Sequence, residues 1–249
     1  MHKFFIEEGN IENDIAVITG DDVKHIYKVL RLKEDDIVYV NNCKGKEFKG
    51  KLIDVNKKGV KVELIEELSI NNESNVEVYL YQGAPKAAKM DLISQKCTEL
   101  GIKEIIPVIT KRVEPGTEKS LAKTDRWNRI ALEACKQSKR SVIPEIREAI
   151  DFKDMLEELK DKDLVIVAYE NKENFGLRSL FSKINKEEVK SVAIVVGPEG
   201  GFEESEIEVL EKNRAHIVTL GKRILRTETA GFTAVGIVMY ELGDLGGEI

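Results

Sequence analysis

The sequence predicts an α/β protein in which a small β-rich unit precedes a larger domain built on a mostly parallel sheet. From Val76 onward, short apolar runs alternate with amphipathic helical segments, which is typical of parallel strands with helices on both faces of the sheet. Residues 1–70 instead show period-two alternation, which is typical of half-buried strands. The polar cluster 69–75 separates the two patterns and has the character of a linker. We therefore expect one domain at residues 1–70 and another at 75–249.

The amino-terminal unit is expected to be a small β-barrel or meander with one helix. Three runs have strand character, with glycine, asparagine and lysine turns between them: 36–40, 49–55 and 59–64. Before them, segment 21–31 has the period of a helix. One face of that helix collects four apolar side chains, Val23, Ile26, Val29 and Leu30. His25 and Arg31 lie off the centre of this face.

The elements of the second domain follow from apolar runs and from helical periodicity. Strands are predicted at 76–81, 105–109, 163–169, 191–196 and 217–220. A first helix carries Met90, Ile93, Cys97 and Leu100 on one face and ends at Gly101. A longer helix presents Trp127, Ile130, Ala131, Ala134 and Cys135, and further helices are predicted at 152–159, 177–184 and 231–242.

Two glycine-rich strand ends mark the predicted ligand site. The run 193–196 stops at Gly197-Pro198-Glu199-Gly200-Gly201, and the run 217–220 ends in Gly221, followed by a polar turn over 222–230. In open α/β sheets, ligands bind beyond the carboxyl ends of strands, where glycine lets the backbone approach them. The sequence has neither a Walker loop nor the dinucleotide glycine spacing. The acidic helix that starts near Glu203 disfavours an anion, so a cationic or zwitterionic ligand fits this site better.

The charge of the chain is unevenly distributed. The 249 residues carry a net charge of −6, yet the basic segment, residues 86–147, holds 14 lysines and arginines against 8 acidic residues. Basic patches are what phosphate backbones require. This segment is therefore either an RNA-contacting surface or an ordinary solvated helical face.

The remaining composition narrows the class of protein. The chain has no apolar run long enough to cross a bilayer and no signal-like start, so we expect a cytoplasmic protein. Three widely spaced cysteines and three scattered histidines favour reduced thiols, and no metal site is expected.

Several motifs occur together and in order along the chain. They are His25-x-x-x-Val29-Leu30-Arg31, Lys96-x-x-Glu99-Leu100-Gly101, Glu133-Ala134-x-x-Gln137-Ser138-x-Arg140, Val196 to Phe202, and Leu220-Gly221-x-Arg223-Ile224-Leu225-Arg226-x-Glu228-Thr229-Ala230. With these motifs, nearly the whole chain resembles the RsmE family of the SPOUT superfamily, which uses S-adenosylmethionine to methylate N3 of a uridine in 16S ribosomal RNA. One departure is Thr110-Lys111-Arg112-Val113, which keeps the arginine but changes its neighbours.

The resemblance implies an architecture and a set of partners. Residues 1–70 would form a PUA-like β-barrel that binds RNA, and 75–249 a SPOUT-type parallel sheet whose carboxyl-terminal end is threaded into a trefoil knot. The partner would be 16S ribosomal RNA or the assembled small ribosomal subunit. A homodimer through the knot region is also implied, although burial within its own domain would equally explain the apolar helix.

The resemblance also implies roles for individual residues. The cofactor-binding set is Val196, Gly197, Pro198, Glu199, Gly200, Leu220, Gly221, Ile224, Leu225, Arg226, Thr229 and Ala230. The catalytic candidates are Glu199, Arg226 and Glu228, which the sequence does not rank. The RNA-binding candidates are His25, Arg31, Lys86, Lys89, Arg112, Gln137 and Arg140. Without the resemblance, these glycines are also consistent with simple turns, the glutamates with helix caps, and the basic residues with solvated charges.

Two other functions remain open at this stage. One is a non-catalytic RNA-binding or ribosome-assembly protein, which the intact glycine loops disfavour. The other is a nucleotide-dependent enzyme on an ordinary α/β sheet, which the absence of a phosphate-loop lysine disfavours.

Overall fold

A computed structural model describes residues 2–6, 8–70, 72–117 and 121–247. Met1, Asn71 and Ile249, which belong to the predicted domain limits and boundary cluster, lie outside the described residues. The chain divides into two compact units. The first unit comprises residues 1–73 together with 135–143, and the second comprises 74–134 together with 144–249.

The first unit is built on a six-stranded mixed sheet. Its strands are β1 (Lys3–Phe5), β2 (Ile11–Glu12), β3 (Ile15–Ile18), β4 (Ile37–Asn41), β5 (Glu47–Val55) and β6 (Val60–Leu68). They lie in the order β1-β4-β5-β6-β3-β2, with β1 parallel to β4 and the other pairs antiparallel. Alternate side chains enter one core, where Val38, Val40 and Leu52 are fully buried. The three strands that the sequence predicts in this unit are confirmed.

The helical segment of the first unit departs from the prediction. A short α1 (Asp21–Lys24) continues as a π-helical segment, His25–Leu30, which Arg31 ends in the left-handed conformation at φ 53°. Val23 and Ile26 are buried as expected, but Val29 is 66% exposed, so its predicted place on the buried face is wrong. The wider π turn advances each residue by less than the α-helical step, which rotates Val29 away from the core.

A late segment of the chain completes the first unit, which the sequence pattern does not indicate. The backbone oxygen of Ser141 accepts hydrogen bonds from Asn41 Nδ2 at 3.0 Å and from the N–H of Gly45 at 3.1 Å. The Ser141 hydroxyl donates to buried Glu47 at 3.0 Å. Arg140 forms a salt bridge with Glu73, whose carboxylate also accepts the N–H of Ser141 at 2.8 Å. Residues 135–143 are therefore tied to this unit by buried polar contacts.

The second unit contains a seven-stranded sheet in which every pairing is parallel. Its strands are β7 (Glu77–Gly83), β8 (Glu104–Ile109), β9 (Glu145–Ile146), β10 (Ile150–Asp151), β11 (Leu164–Ala168), β12 (Ser191–Val196) and β13 (His216–Val218). The order is β10-β8-β7-β12-β11-β13, with β9 also paired to β8. Because the strands are parallel, the carboxyl ends of β7, β12, β11 and β13 meet at one edge of the sheet.

The helices of the second unit follow the predicted periodicity. They are α2 (Ala87–Glu99), α3 (Thr124–Ser138, whose last residues belong to the first unit), α4 (Phe152–Glu158), α5 (Leu177–Phe181), α6 (Glu204–Lys212) and α7 (Thr227–Glu241). α7 packs against α2 and against β7 and β12. Within the described residues, no helix combines the length and the apolar character that a membrane crossing requires.

One helix start differs from the prediction in a way that matters for the site. The sequence predicts a turn over 222–230 and a helix from Gly231, but α7 begins at Thr227. Its first turn holds the buried polar residues Thr227 and Glu228, which interrupt the apolar pattern on which the prediction depends. A carboxylate in the first turn is favourable for the helix dipole.

Candidate active site

A cavity of about 350 Å³ lies at the carboxyl edge of the parallel sheet in the second unit. The segments that follow β11, β12 and β13 form its walls, and α7 and Lys89 of α2 complete it. The lining residues are Lys89, Ala168, Tyr169, Glu170, Val196, Gly197, Pro198, Glu199, Gly201, Thr219, Leu220, Gly221, Lys222, Arg223, Ile224, Leu225, Arg226, Thr227 and Ala230. The cavity therefore lies where the sequence predicts a ligand, between the two glycine-terminated strand ends.

The structure brings most of the predicted cofactor-binding residues together. Ten of the twelve line the cavity, whereas Gly200 and Thr229 do not. Gly200 instead packs against the backbone of Arg112, since a Cβ on Gly200 would lie 2.9 Å from the backbone oxygen of Arg112. The sequence interpretation missed Tyr169 and Glu170, which follow β11 and carry no glycine signal.

The loop after β12, residues 197–201, is tightly packed. A Cβ on Gly83, at the end of β7, would lie 2.4 Å from the backbone nitrogen of Pro198, so only glycine allows this approach. Gly201 has φ 68°, and a Cβ on it would lie 2.8 Å from Oε1 of Glu170. Gly197 and Pro198 are buried. The backbone of this loop is therefore held in one conformation by its neighbours.

The loop after β13, residues 221–226, is held less closely. Gly221 has φ 122°, and a Cβ on it would have no heavy atom within 4 Å. Its N–H donates to the hydroxyl of Thr219 at 3.2 Å, and that hydroxyl donates to the oxygen of Gly221 at 3.1 Å. Ile224 is 85% exposed although it lines the cavity. An apolar side chain this exposed is available to a ligand or to another chain.

A buried hydrogen-bond network connects the loop after β12 with the start of α7. Nε2 of Gln82, at the end of β7, donates to the hydroxyl of Thr227 at 2.8 Å. The same hydroxyl donates to the backbone oxygen of Gly197 at 2.5 Å. Gln82 is fully buried. The sequence interpretation missed the pair of Gln82 and Thr227, whose only sequence signal is a glutamine directly after the predicted strand 76–81.

Lys89 forms ion pairs with two of the predicted catalytic residues. Its Nζ lies 3.2 Å from Oε1 of Glu199 and 3.1 Å from Oε2 of Glu228, and both contacts are ion pairs without hydrogen-bond geometry. The backbone N–H of Lys86 donates to Oε1 of Glu199 at 3.1 Å. The exposed fractions of the side chains fall from 25% for Lys89 to 20% for Glu199 and 10% for Glu228. Lys89 and Glu199 line the cavity, and Glu228 lies outside its lining.

The pKa values of this cluster favour fixed charges. Burial alone would lower the pKa of Lys89, but its interactions with the carboxylates of Glu228 and Glu199 outweigh this effect and raise it. Burial would raise the pKa of Glu199, yet the N–H of Lys86 and the charge of Lys89 lower it overall. Lys89 is therefore a cation and Glu199 an anion throughout the neutral pH range.

Arg226 is the third predicted catalytic residue and occupies a different part of the wall. It precedes the first turn of α7, is exposed, and lines the cavity together with Lys222 and Arg223. This basic wall faces the same cavity as Glu170 and Glu199. The arrangement suits a ligand that carries both a positive and a negative group.

The predicted RNA-binding residues are divided between the two units. In the first unit, His25 begins the π-helical segment and Arg31 directly follows it. The first unit also contains Gln137 and Arg140. Lys86, Lys89 and Arg112 belong to the second unit. Gln137 is exposed at the end of α3, and Lys86 pairs with Glu114 at 3.0 Å.

Two of these residues have surroundings that differ from the sequence interpretation. Arg140 is only 5% exposed and its guanidinium forms a salt bridge with Glu73, so it stabilises the first unit and is not presented to a phosphate. Lys89 is not a solvated charge, because it is held by two carboxylates at the cavity. Charge counts along a sequence do not reveal such pairings.

The segment around Arg112 supports the loop after β12. Nη1 of Arg112 donates to the backbone oxygen of Gly200 at 3.4 Å. The N–H of Lys111 donates to buried Glu206 at 3.0 Å, and Nζ of Lys111 to Glu203 at 3.0 Å. These contacts attach residues 110–113 to the start of α6. Lys111, which lies in the segment that departs from the family motif, is therefore bound to Glu203 and Glu206.

The fold and the position of the cavity are those of a ligand-binding α/β domain. A parallel α/β sheet with a cavity beyond the carboxyl ends of adjacent strands is a ligand-binding domain, and here the ligand contacts would come from glycine loops and paired charges. Comparison with known proteins then shows the family. Residues 72–239 match the RNA methyltransferase domain, and residues 18–65 match the RNA methyltransferase PUA domain. The chain belongs to the RNA methyltransferase family defined by these domains.

Relatives match the chain over its whole length. The Ribosomal RNA small subunit methyltransferase E of Bacillus subtilis is 37% identical over 255 residues, which cover 100% of both chains. A crystal structure of the Neisseria gonorrhoeae Ribosomal RNA small subunit methyltransferase E, bound to S-adenosyl methionine, is 29% identical, covers 98% of this chain and 99% of its own, and has a TM-score of 0.84. A putative methyltransferase from Legionella pneumophila, in complex with the same cofactor, is 29% identical over 98% of each chain, with a TM-score of 0.82.

Proposed function

We propose that this protein transfers the methyl group of S-adenosylmethionine to N3 of a uridine in 16S ribosomal RNA of the small subunit. The observation that carries the proposal is the cavity at the carboxyl edge of the sheet, with glycine loops, a basic wall and two carboxylates around one lysine. The full-length relatives named as ribosomal RNA small subunit methyltransferases support it. An intact cavity of this kind also favours an enzyme over a purely RNA-binding protein.

The residues present fit S-adenosylmethionine. A volume of about 350 Å³ lies within the usual range for small-molecule pockets, about 300–1,000 Å³. The backbone around Leu220, Ile224 and Leu225 would hold the adenine, and the glycine loops allow main-chain groups to approach the ligand. The carboxylates of Glu199 and Glu170 favour a positively charged sulfur, whereas Arg226 suits the carboxylate of the methionyl group.

Methyl transfer makes a limited chemical demand on the chain. When bound, S-adenosylmethionine supplies a methyl group on a cationic sulfur; transfer forms the N3–CH₃ bond, and the S–CH₃ bonding electrons stay on sulfur. The protein has to position both partners and to assist loss of the N3 proton. Glu199, Arg226 and Glu228 are the candidates for this assistance, through proton acceptance or charge stabilisation. Because N3 lies on the pairing edge, the uracil must be unpaired or flipped out.

The RNA is expected to contact exposed basic residues. His25 and Arg31 of the first unit and Lys86 and Arg112 of the second are the exposed basic candidates, and Gln137 is an exposed neutral one. Arg140 is buried against Glu73, and Lys89 is held by Glu199 and Glu228 at the cavity. Each phosphate contact that is lost should weaken RNA affinity and reduce its salt dependence. An enzyme acting on this RNA or on the assembled small subunit would work in the cytoplasm.

We also infer a homodimer through the knotted region that the family resemblance implies. Among the described residues of the second unit, five large apolar side chains are exposed, namely Leu92, Ile109, Ile224, Tyr240 and Leu245. Tyr240 is 64% exposed near the carboxyl-terminal end of α7, the helix whose first turn lines the cavity. Sedimentation of the purified protein tests this inference: a dimer that dissociates with Tyr240→Asp supports it, and a monomer at micromolar concentration contradicts it.

The function is tested on RNA purified from cells that lack this protein. The purified enzyme and isotopically methyl-labelled S-adenosylmethionine are added to small-subunit RNA, and the digested nucleosides are identified by mass spectrometry. We expect labelled 3-methyluridine at one position, where reverse transcription also stops. A label on ribose or on uracil C5, which leaves the pairing edge free, would contradict the proposed chemistry. Failure to bind S-adenosylmethionine in calorimetry would contradict the proposed cofactor.

A further inference from the structure

The strongest unassigned feature of the cavity is the ammonium group of Lys89. It lies between Glu199 and Glu228, within ion-pair distance of one oxygen from each. A lysine ammonium has three N–H donors, so two carboxylates leave at least one donor for another acceptor. The side chain is 25% exposed and lines the cavity. A third acceptor would therefore come from whatever occupies the cavity.

The two carboxylates have different environments that suit the role of holding Lys89. Glu228 is buried in the first turn of α7 and lies outside the cavity lining, so it anchors the ammonium from the protein side. Glu199 faces the cavity and is fixed in turn by the N–H of Lys86. The lowered pKa of Glu199 makes it a weak proton acceptor. The cluster therefore holds a cation in place more effectively than it takes up a proton.

The reaction proposed above needs such a cation. When N3 of uracil loses its proton, negative charge spreads onto the two carbonyl oxygens that flank N3. A fixed positive charge beside either oxygen stabilises this anion, and such preorganised charge is often the largest single contribution to catalysis. The other charged groups that line the cavity are Glu170, Lys222, Arg223 and Arg226. Among the described lining residues, Lys89 is the cation held by two carboxylates.

We propose that Lys89 is a catalytic residue, whose remaining N–H donates to a carbonyl oxygen of the target uracil and stabilises the N3-deprotonated base. The proton leaves N3 for water or hydroxide, both N–H bonding electrons stay on N3, and that lone pair attacks the methyl group. Glu199 and Glu228 act as positioning residues for the ammonium. The inference rests on the proposed function and assigns the step that the three sequence candidates left open.

The kinetic test compares Lys89→Met with Lys103→Met, a matched control. Lys103 also pairs with a glutamate, Glu77, at 3.0 Å, but it lies before β8 at the opposite end of the strands. We expect Lys89→Met to lower kcat on the order of 100-fold at saturating RNA, the usual cost of one such donor. Lys89→Arg should retain part of the activity, and Lys103→Met should match the parent. In the parent, kcat should rise about tenfold per pH unit until N3 is deprotonated.

A second substrate tests the role of charge directly. Fluorine at C5 of uracil makes the N3 proton more acidic, so RNA with 5-fluorouridine at the target position depends less on Lys89. The loss caused by Lys89→Met should therefore be smaller on this RNA than on the ordinary one. An equal loss on both would overturn the proposal. Unchanged kcat with weaker, less salt-dependent RNA binding would also overturn it, and would make Lys89 a phosphate contact.

A spectroscopic test does not depend on turnover. In a complex with S-adenosylhomocysteine, the ¹⁹F resonance of the same 5-fluorouridine RNA reports ionisation of N3. We expect the pKa of bound N3 to be lower with the parent than with Lys89→Met. If Lys89→Met fails to fold, Lys89→Met with Glu228→Gln removes the cation and the buried anion together. If the parent and Lys89→Met give the same N3 pKa while the parent makes 3-methyluridine, this inference is wrong and the proposed function stands. If the parent methylates another position of the RNA, the proposed function itself is wrong.

Discussion

The two loops that form the cavity are held in different ways, although both follow parallel strands and both contain glycine. In the loop after β12, Gly197 and Pro198 are buried while Glu199 and Gly200 are exposed, and added Cβ atoms at Gly83 or Gly200 would meet backbone atoms at 2.4 and 2.9 Å. The loop after β13 has open space around Gly221, and its Ile224 is 85% exposed. One wall is therefore prearranged, and the other has room to adjust when a ligand enters. Glycine in the first permits close approach as well as the positive φ of Gly201, whereas in the second it permits only the unusual backbone angle of Gly221.

The largest effect is expected from filling the space between β7 and the loop after β12. Gly83→Ala places a methyl group 2.4 Å from the nitrogen of Pro198, and backbone cannot rotate away as a side chain can. We expect a loss of about 3 kcal/mol in the free energy of unfolding, together with loss of S-adenosylmethionine binding. Chemical denaturation and calorimetry measure the two. Gly236→Ala is the control, because its nearest neighbour is 3.9 Å away; comparable losses in both variants would contradict the packing argument.

A smaller effect is expected from cutting the link between the prearranged loop and α7. Thr227→Val keeps the shape but removes the hydroxyl that joins Gln82 to the oxygen of Gly197. Leaving these buried groups unpaired should cost about 1–3 kcal/mol in the free energy of unfolding. Thr227→Ser retains the hydroxyl and should recover most of the loss. If valine and serine behave alike in denaturant titrations, the hydrogen bonds do not hold this wall.

The adjustable loop should tolerate an added methyl group better. Gly221→Ala meets no atom within 4 Å, so only its φ of 122° opposes the change. We expect a cost of about 1 kcal/mol, clearly below that of Gly83→Ala. The thermal midpoints of the two variants, measured side by side, decide this. A reversed order would mean that the second loop is the more constrained one.

The smallest effect on stability is expected at Ile224. Ile224→Ser changes a side chain that is already in water, so the free energy of unfolding should stay within about 0.5 kcal/mol of the parent. Affinity for S-adenosylmethionine should nevertheless fall about tenfold or more if this side chain closes over the ligand, since burying isoleucine contributes about 1.5–3 kcal/mol. Calorimetry beside a thermal melt separates the two quantities. Unchanged affinity would show that the loop does not adjust around the ligand.

The sequence predicts the parallel sheet and the position of the cavity, because both leave local signals. Apolar runs mark β11 and β12, and the glycines after β12 and β13 mark the strand ends that form the site. The sequence does not predict where α7 begins, because Thr227 and Glu228 are polar yet buried. The exposure of Val29 depends on a π-helical turn that periodicity does not distinguish from an α-helix.

The ion-pair partners of charged residues cannot be predicted from the sequence pattern. Lys89 and Arg140 look alike in a basic stretch, yet one is held by Glu199 and Glu228 and the other by Glu73. Those carboxylates lie 67 to 139 positions away along the chain, so no local pattern connects them. The knot and the dimer remain predictions of the family resemblance.

The return of residues 135–143 to the first unit has a consequence for how the chain is made. During synthesis, the first seventy-three residues emerge before Arg140 and Ser141 have been translated. Glu73 then lacks its salt bridge with Arg140, and Glu47 has Lys3 and Asn41 as partners but not the Ser141 hydroxyl. The carboxylates of Glu47 and Glu73 therefore gain these late contacts only after more than sixty further residues have been added. We expect the amino-terminal unit to reach full resistance to proteolysis only after Ile143 has left the ribosome.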